Sequence, residues 1–295
     1  MPELPDVVVY VEALKPRVVG HRLERVHLLS PFVLRSVDPP LDALVGRSVL
    51  DVARLGKRIV FAFPGELYLV LHLMIAGRLR WRASDERPGV GPKIVLAVLE
   101  FPTGRLFFTE ASSTKRASLQ AVRGREALDA INPGGLEPLD ADLAAFRDSL
   151  TRESHTLKRA LTDPRLFSGI GNAYSDEILH AARLSPLKLT RTLTDEETAR
   201  LFGATRRTLE SWIARHRAAA AGEFPEKVTA FHAEMAVHGR FKAPCPVCGT
   251  PVQRIVYAEN ECNYCPRCQT GGRLLADRSL SRLLKEDWPG TIDEI

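Results

Sequence analysis

Residues spaced for chemistry stand near both ends of this 295-residue chain. The first six are Met1-Pro2-Glu3-Leu4-Pro5-Asp6. Removal of Met1, which a small second residue generally permits, would leave Pro2 as a free secondary amine beside the carboxylate of Glu3. An α-amine titrates near ~8, below a lysine at ~10, so a usable fraction is unprotonated at neutral pH. Such an amine can attack a carbonyl-type carbon to give an imine, and a neighbouring carboxyl can supply the proton. Taken alone, Pro2 and Pro5 read first as residues that start a helix, because proline suits the first helical turn. The second pattern is stronger. Cys245-Pro-Val-Cys248 and Cys265-Pro-Arg-Cys268 are separated by sixteen residues, the spacing of a four-thiolate zinc ribbon. Four thiolates close the coordination sphere, so this zinc would be structural. Cys262 falls outside the spacing and reads as packing. A third stretch, Phe167-Ser168-Gly169-Ile170-Gly171-Asn172, offers unobstructed backbone N–H groups where a helix begins, which makes a phosphate seat. Tight helix packing alone also calls for such glycines, and Asn172 at the cap position also reads as a simple cap.

These groups need elements to hold them. Val7, Val11, Leu14 and Val18 recur at helical spacing, and Gly20 stops the run, so an amphipathic helix is expected over Pro5–Val19. Short β-type segments follow at Arg25–Leu29, Ser48–Arg54, Arg58–Phe63, Leu67–Leu73, Ile94–Phe101 and Leu106–Thr109, with Pro64-Gly65, Pro88-Gly89 and Thr103-Gly104 as turns. They predict a β-sandwich or barrel beside the first helix. Gly56-Lys57-Arg58 opens one strand and sets Lys57 where it can reach a phosphate; His72-Leu73-Met74-Ile75-Ala76-Gly77-Arg78 closes another. Between about 121 and 139 the periodicity breaks, which places a boundary there. Helical patterns then run over Asp142–Leu150, Thr156–Leu161, Ala173–Arg183 and Asp195–Arg217, and Val252–Tyr257 is strand-like between the cysteine pairs. The expected class is α+β: an N-terminal β-sandwich with a flanking helix (1–125), a helical domain (140–225), a zinc ribbon (236–271) and a tail (272–295).

Lys and Arg number 41 against 36 Asp and Glu, a mild basic excess that suits a polyanionic partner without requiring one. No apolar run approaches the ~20 residues of a membrane span, and the N-terminus lacks a secretory pattern. The expectation is a soluble, cytoplasmic protein, nucleoid-associated if bacterial, with cysteines used for metal in a reducing compartment.

In the order Met1-Pro2-Glu3-Leu4-Pro5, Gly56-Lys57, Leu166–Glu177, and Val237-His238-Gly239-Arg240 leading into the cysteine knuckles, the chain resembles the formamidopyrimidine-DNA glycosylase and endonuclease VIII family of base-excision repair enzymes. The resemblance runs from residue 1 to about 270. It implies a helix–two-turn–helix in the second domain and damaged DNA held between the domains; the chain is itself long enough to stand alone as a monomer. It further implies that Pro2 attacks C1′ of the damaged nucleotide, that Glu3 serves as acid, and that Lys57 contacts a phosphate and moves a proton during strand cleavage. Gly171, Asn172 and Lys158 would hold phosphates beside the flipped nucleotide, and His72, Met74 and Ile75 would meet the DNA where the base has left. The physical demand agrees, since a base must leave the stack before a nucleophile reaches its sugar.

The departures are specific. Asn260 stands where the family places a phosphate-gripping arginine, and an amide does not replace a bidentate cation; Arg273 is the available substitute. Glu110–Lys115 lacks the arginine and phenylalanine that fill the gap opposite the lesion. Met74 replaces a glycine and Ile75 a methionine. Gly222–Phe231 lacks the Ser/Thr-rich loop that closes over oxidised guanine, which leaves the damaged base open. Two competing readings follow: a non-catalytic binder of damaged or branched DNA, which would have no need of Pro2 and Glu3, and a zinc-ribbon protein of RNA or the ribosome, which leaves the N-terminus unexplained.

Overall fold

The computed structural model describes residues 1–226, 228, 232–257, 260–276 and 290–294. By internal contacts the chain forms two compact units, Met1–Pro133 with Trp212–Ala230, and Gly134–Ser211 with Phe231–Ile295.

The first unit opens with α1, Leu4–Val18. Val7, Leu14 and Val18 are fully buried along one face and Val11 is buried beside them, the stripe that the periodicity foretold, with the fully buried Tyr10 added. Eight strands follow: β1 Arg25–Leu28, β2 Asp51–Leu55, β3 Arg58–Phe63, β4 Leu67–His72, β5 Gly77–Arg82, β6 Val95–Phe101, β7 Gly104–Glu110 and β8 Ser118–Arg123. They make two antiparallel four-stranded sheets, ordered β1-β6-β7-β5 and β2-β3-β4-β8. Ile59, Phe61, Leu69, Leu71 and Leu119 of one sheet share a single core with Leu79, Leu99, Leu106 and Phe108 of the other and with the buried face of α1. The reverse face of the second sheet, Val60, Val70 and Val122, is covered by Leu128 from α2, Arg125–Ile131.

Sequence reading missed three of these elements. In β5, Arg78, Arg80 and Arg82 occupy alternate positions and disguise the strand; Arg80 and Arg82 are accommodated because Glu226, 146 and 144 residues further on, accepts hydrogen bonds from both. Strand β8 and helix α2 fall in or beside the stretch expected to be irregular, and they exist because β4 and the reverse face of its sheet need covering. The first unit also reclaims Trp212–Ala230, which sequence grouping over 140–225 had split from it. His216 Nε2 lies 3.3 Å from Asp6 Oδ1, Arg217 donates to Glu12 at 2.8 Å, and Phe224 packs on Tyr10 and Trp81.

The second unit contains α3 Leu143–Thr151, α4 Leu157–Thr162, α5 Asn172–Ala181 and most of α6, Asp195–Ala220. Asp142 and Thr156 cap α3 and α4 by accepting backbone N–H groups from Ala145 and Arg159. Strands β9 Gln253–Tyr257 and β10 Asn260–Tyr264 pair as an antiparallel hairpin, and α7, Pro266–Thr270, follows Cys265. Among the described residues no helix is long and apolar enough to cross a membrane.

Candidate functional site

In the first unit the N-terminus is sunk into protein. Pro2 is buried and Glu3 is 1% exposed at the N-cap of α1. Asp6, three residues on, accepts the Glu3 backbone N–H at 2.8 Å, so the start of the helix fixes the two residues that chemistry would use. The α-amine, here on Met1, is held below its ordinary pKa by burial, with Arg78 and Lys57 adding to the depression and the carboxylates of Glu3 and Asp6 opposing it. Burial of a cation favours its neutral, nucleophilic form. Arg78, quoted in the sequence motif without a role, thus belongs to the amine's surroundings. Its guanidinium also donates to the carbonyls of Ile75 and Gly77 at 3.2 and 2.6 Å.

Lys57 sits in a two-residue turn, because Leu55 pairs with Arg58 directly across it, and Gly56 supplies the left-handed first position at φ 62°. His72 ends β4 opposite Arg58. Burial, then Arg58 and Lys57, bring its pKa down to about 4, so the imidazole is neutral at neutral pH. The turn beyond it carries Met74 at φ 51°, where a glycine would be at ease, and the half-exposed Ile75. Gly77 closes that turn; a Cβ there would stand 2.2 Å from the Leu73 carbonyl oxygen, so no other residue fits. In the loop after β7, the buried Glu110 carboxylate accepts the N–H groups of Arg116 and Ala117 at 3.0–3.2 Å, and the Lys115 ammonium folds back to the Glu110 carbonyl. The loop is therefore pinned by its own acid.

Asp6 makes the first unit pH-sensitive. Burial raises its carboxyl to about 7, against the pull of the Glu3 N–H, and the Glu3 carboxylate pushes in the same direction as burial. A folded-state pKa above the unfolded ~3.9 means that the folded state holds the extra proton, so this group's contribution falls as pH rises from about 4 to 7 and is constant beyond. Asp6→Asn keeps an acceptor for Glu3 and removes the titration. Urea unfolding from pH 4 to 7 is expected to show wild type losing up to about 4 kcal/mol relative to the variant; parallel curves would refute the assignment.

In the second unit, α4 and α5 are joined by a turn over 164–166 and a bend at Ser168-Gly169, with Gly169 at φ 78°, leading to Gly171. Gly171, not Asn172, is the N-cap of α5. Asn172 is the first helical residue, and its Nδ2 donates to the Glu261 carbonyl of the β-hairpin at 2.9 Å, so the side chain braces the hairpin where the sequence offered a phosphate contact or a simple cap. Lys158 also differs from expectation. Its ammonium donates to the Asn172 carbonyl, Ser175 Oγ and Asp176 Oδ1 at 2.6–2.8 Å and is 12% exposed. All three protons are used inside the protein, so Lys158 positions the start of α5 and does not present a cation to solvent. Asp176 Oδ2 is engaged in turn by His238 Nδ1 at 2.8 Å, and Glu177 accepts the N–H groups of Ala236, Val237 and His238.

The four cysteines converge. Sγ separations are 3.9 Å for Cys245 and Cys268, 3.4 Å for Cys248 and Cys265, and 3.5 Å for Cys248 and Cys268. A tetrahedron with Zn–S bonds of ~2.3 Å requires about 3.8 Å between sulfurs, so the cage fits zinc. Cys262 lies outside this group, buried in the hairpin where its backbone pairs with Ile255. The backbone of Asn260 pairs with Tyr257, and its side chain lies outside the described residues. Arg273 is exposed and bridges by backbone to Thr291. Of Gly222–Phe231, the described part is tied to the first unit by Phe224 and by Glu226, which accepts from Arg80 at 2.7 Å; residues 227 and 229–231 lie outside the described residues.

A buried amine flanked by an acid and cations, and a glycine turn braced by a structural zinc module, are parts suited to a DNA-processing enzyme of the glycosylase class. Comparison with known proteins makes that specific. Residues 1–116 match the formamidopyrimidine-DNA glycosylase N-terminal domain, 135–221 the H2TH domain of the same enzymes, and 243–271 the zinc finger found in FPG and IleRS. The formamidopyrimidine-DNA glycosylase of Thermus thermophilus is 35% identical over 285 residues, covering 92% of this chain and 100% of the relative. That of Moorella thermoacetica is 33% identical over 262 residues, covering 86% and 94%. The Lactococcus lactis enzyme solved with abasic-site DNA superposes with a TM-score of 0.79 at 26% identity, covering 91% of this chain and 99% of that one, and its complex with oxidised-pyrimidine DNA gives the same score and identity. The chain belongs to the formamidopyrimidine-DNA glycosylase family, as the sequence resemblance implied, and its cofactor is one structural zinc.

Proposed function

We propose that this protein is a bifunctional DNA glycosylase and abasic-site lyase that removes oxidised bases through an imine on Pro2. The observation that carries the reading is the buried Pro2-Glu3 start, with Lys57 and Arg78 in electrostatic reach of the amine, in a chain of this family. Once Met1 is removed, the amine is Pro2's own. Its nitrogen attacks C1′, the C1′–N bond to the damaged base breaks, and the base leaves with the proton the amine gives up; Glu3 then protonates the ring oxygen as the C1′–O4′ bond breaks, leaving an iminium on Pro2. Loss of a C2′ proton from the iminium then breaks the C3′–O bond, and water hydrolyses the remaining imine to free Pro2. Lys57 contacts the phosphate beside the lesion. Gly171 and the N–H groups opening α5 take another backbone phosphate, with Asn172 and Lys158 holding that turn in place. His72, Met74 and Ile75 support the distorted duplex, and Asn260 and Arg273 contribute from the zinc ribbon and just beyond it.

In this reading residues 1–125 carry the chemistry and 140–225 and 236–271 hold DNA, while 277–289 and 295 of the expected tail lie outside the described residues; the enzyme works as a monomer in the cytoplasm or on the nucleoid. Its test is a panel of duplexes carrying oxidised purines, oxidised pyrimidines or an abasic site, with product ends resolved by gel mobility. The expected result is cleavage of abasic DNA and of at least one oxidised base. Tight binding to every duplex with no cleavage of any would instead favour the non-catalytic binder.

A further inference from the structure

The zinc centre has a neighbour that no sequence motif marks. His180, 6% exposed on the last turn of α5, places its Nε2 3.3 Å from Sγ of the ligand Cys245, itself 2% exposed. A zinc ion with four thiolates carries a net charge of about −2, and such a charge is costly to bury without donors directed at the sulfurs. Within the ribbon, the Cys268 backbone N–H reaches Cys265 Sγ at 3.5 Å. The Cys245 sulfur instead receives a side chain from outside the ribbon, on the helix that begins at the glycine turn. A second tie runs to the same end of α5: the Cys265 N–H donates to Gln269 Oε1 at 2.8 Å, and Gln269 Nε2 donates to the Leu184 carbonyl at 3.0 Å. At the other end of the helix, Asn172 Nδ2 holds the hairpin through the Glu261 carbonyl. The first knuckle and the hairpin are thus fastened to α5, and the second knuckle to the chain just past its end.

We propose that His180, as its Nε2–H tautomer, is an outer-shell residue of the zinc centre that donates to the Cys245 thiolate and links zinc retention to the order of α5. It is a positioning residue for the metal and takes no part in base removal. Outer-shell partners of a metal ligand commonly set metal affinity by 10–100-fold.

The test uses the full-length zinc-loaded protein. Zinc content is measured first, then the rate of zinc transfer to a chromogenic chelator, for wild type, His180→Phe and His180→Gln, with circular dichroism reporting the fold. Phenylalanine fills the space without a donor; glutamine restores an N–H. The expected result is zinc release at least about tenfold faster in H180F, with H180Q between it and wild type. Wild-type release from a folded, fully loaded H180F would overturn the proposal. Should H180F fail to fold, cadmium-substituted wild type decides: scalar coupling between 113Cd and the His180 Nε2 proton is expected, and an Nε2 without a proton or without coupling would overturn it.

Discussion

Pro2→Leu is expected to lower base release and abasic-site cleavage by on the order of 10³-fold or more while leaving DNA affinity within a few-fold of wild type. Leucine at the second position retains Met1, so the free amine moves outward by one residue, about 3.8 Å along the chain. A displacement of even ~1 Å at a reacting centre can cost ~10²-fold, and here the nucleophile leaves its position altogether. Pro2 is buried against the start of α1, so an apolar replacement keeps the packing, and circular dichroism should be unchanged. Glu3→Gln separates acid from amine: it leaves the nucleophile in place and is expected to cost about 10²–10⁴-fold, the range for a positioned general acid. Single-turnover rates on abasic and lesion duplexes, beside binding curves for the same DNA, check both. A Pro2→Leu protein that cuts at the wild-type rate would place the nucleophile elsewhere.

The second large effect concerns metal. Cys248→Ser opens one corner of the thiolate cage, and structural zinc supplies roughly 10–16 kcal/mol of folding free energy to modules this small. The hairpin β9–β10 and the ties from Cys245, Gln269 and Glu261 to α5 should loosen together, whereas the β-sandwich unit, which has its own core, should keep its fold. Expected results are zinc loss by metal analysis, a new low-temperature unfolding transition, and DNA affinity reduced at least about tenfold, because the brace on Asn172 at the start of α5 is lost. A variant that sheds zinc yet binds lesion DNA normally would show that the ribbon has ceased to matter for recognition.

What the sequence made legible was what depends on local spacing. The stripe on α1, the strand that Gly56-Lys57-Arg58 opens, the strand between the knuckles and the zinc ligands each declare themselves within a few residues to a few tens of residues. Illegible were features whose partners are remote. Strand β5 reads as an exposed basic run until Glu226 is brought to Arg80 and Arg82. Lys158 reads as a free phosphate ligand because its acceptors lie 14 to 18 residues downstream on another helix. Asn172 looked like a cap, since only the fold brings the Glu261 carbonyl, 89 residues away, to its amide. His180 is a lone histidine on a buried helix, a pattern that ordinarily signifies packing, and nothing short of the fold sets it against Cys245.

The central claim is that Pro2 is the nucleophile, and borohydride trapping tests it most directly. Purified protein is incubated with abasic-site DNA in the presence of borohydride, the reduced adduct is digested, and the cross-linked peptide is sequenced by mass spectrometry. The predicted result is a stable adduct on the nitrogen of Pro2 with Met1 absent, formed by wild type and lost in Pro2→Leu. An adduct on a lysine, or no adduct under conditions in which the protein cleaves the strand, would contradict the account.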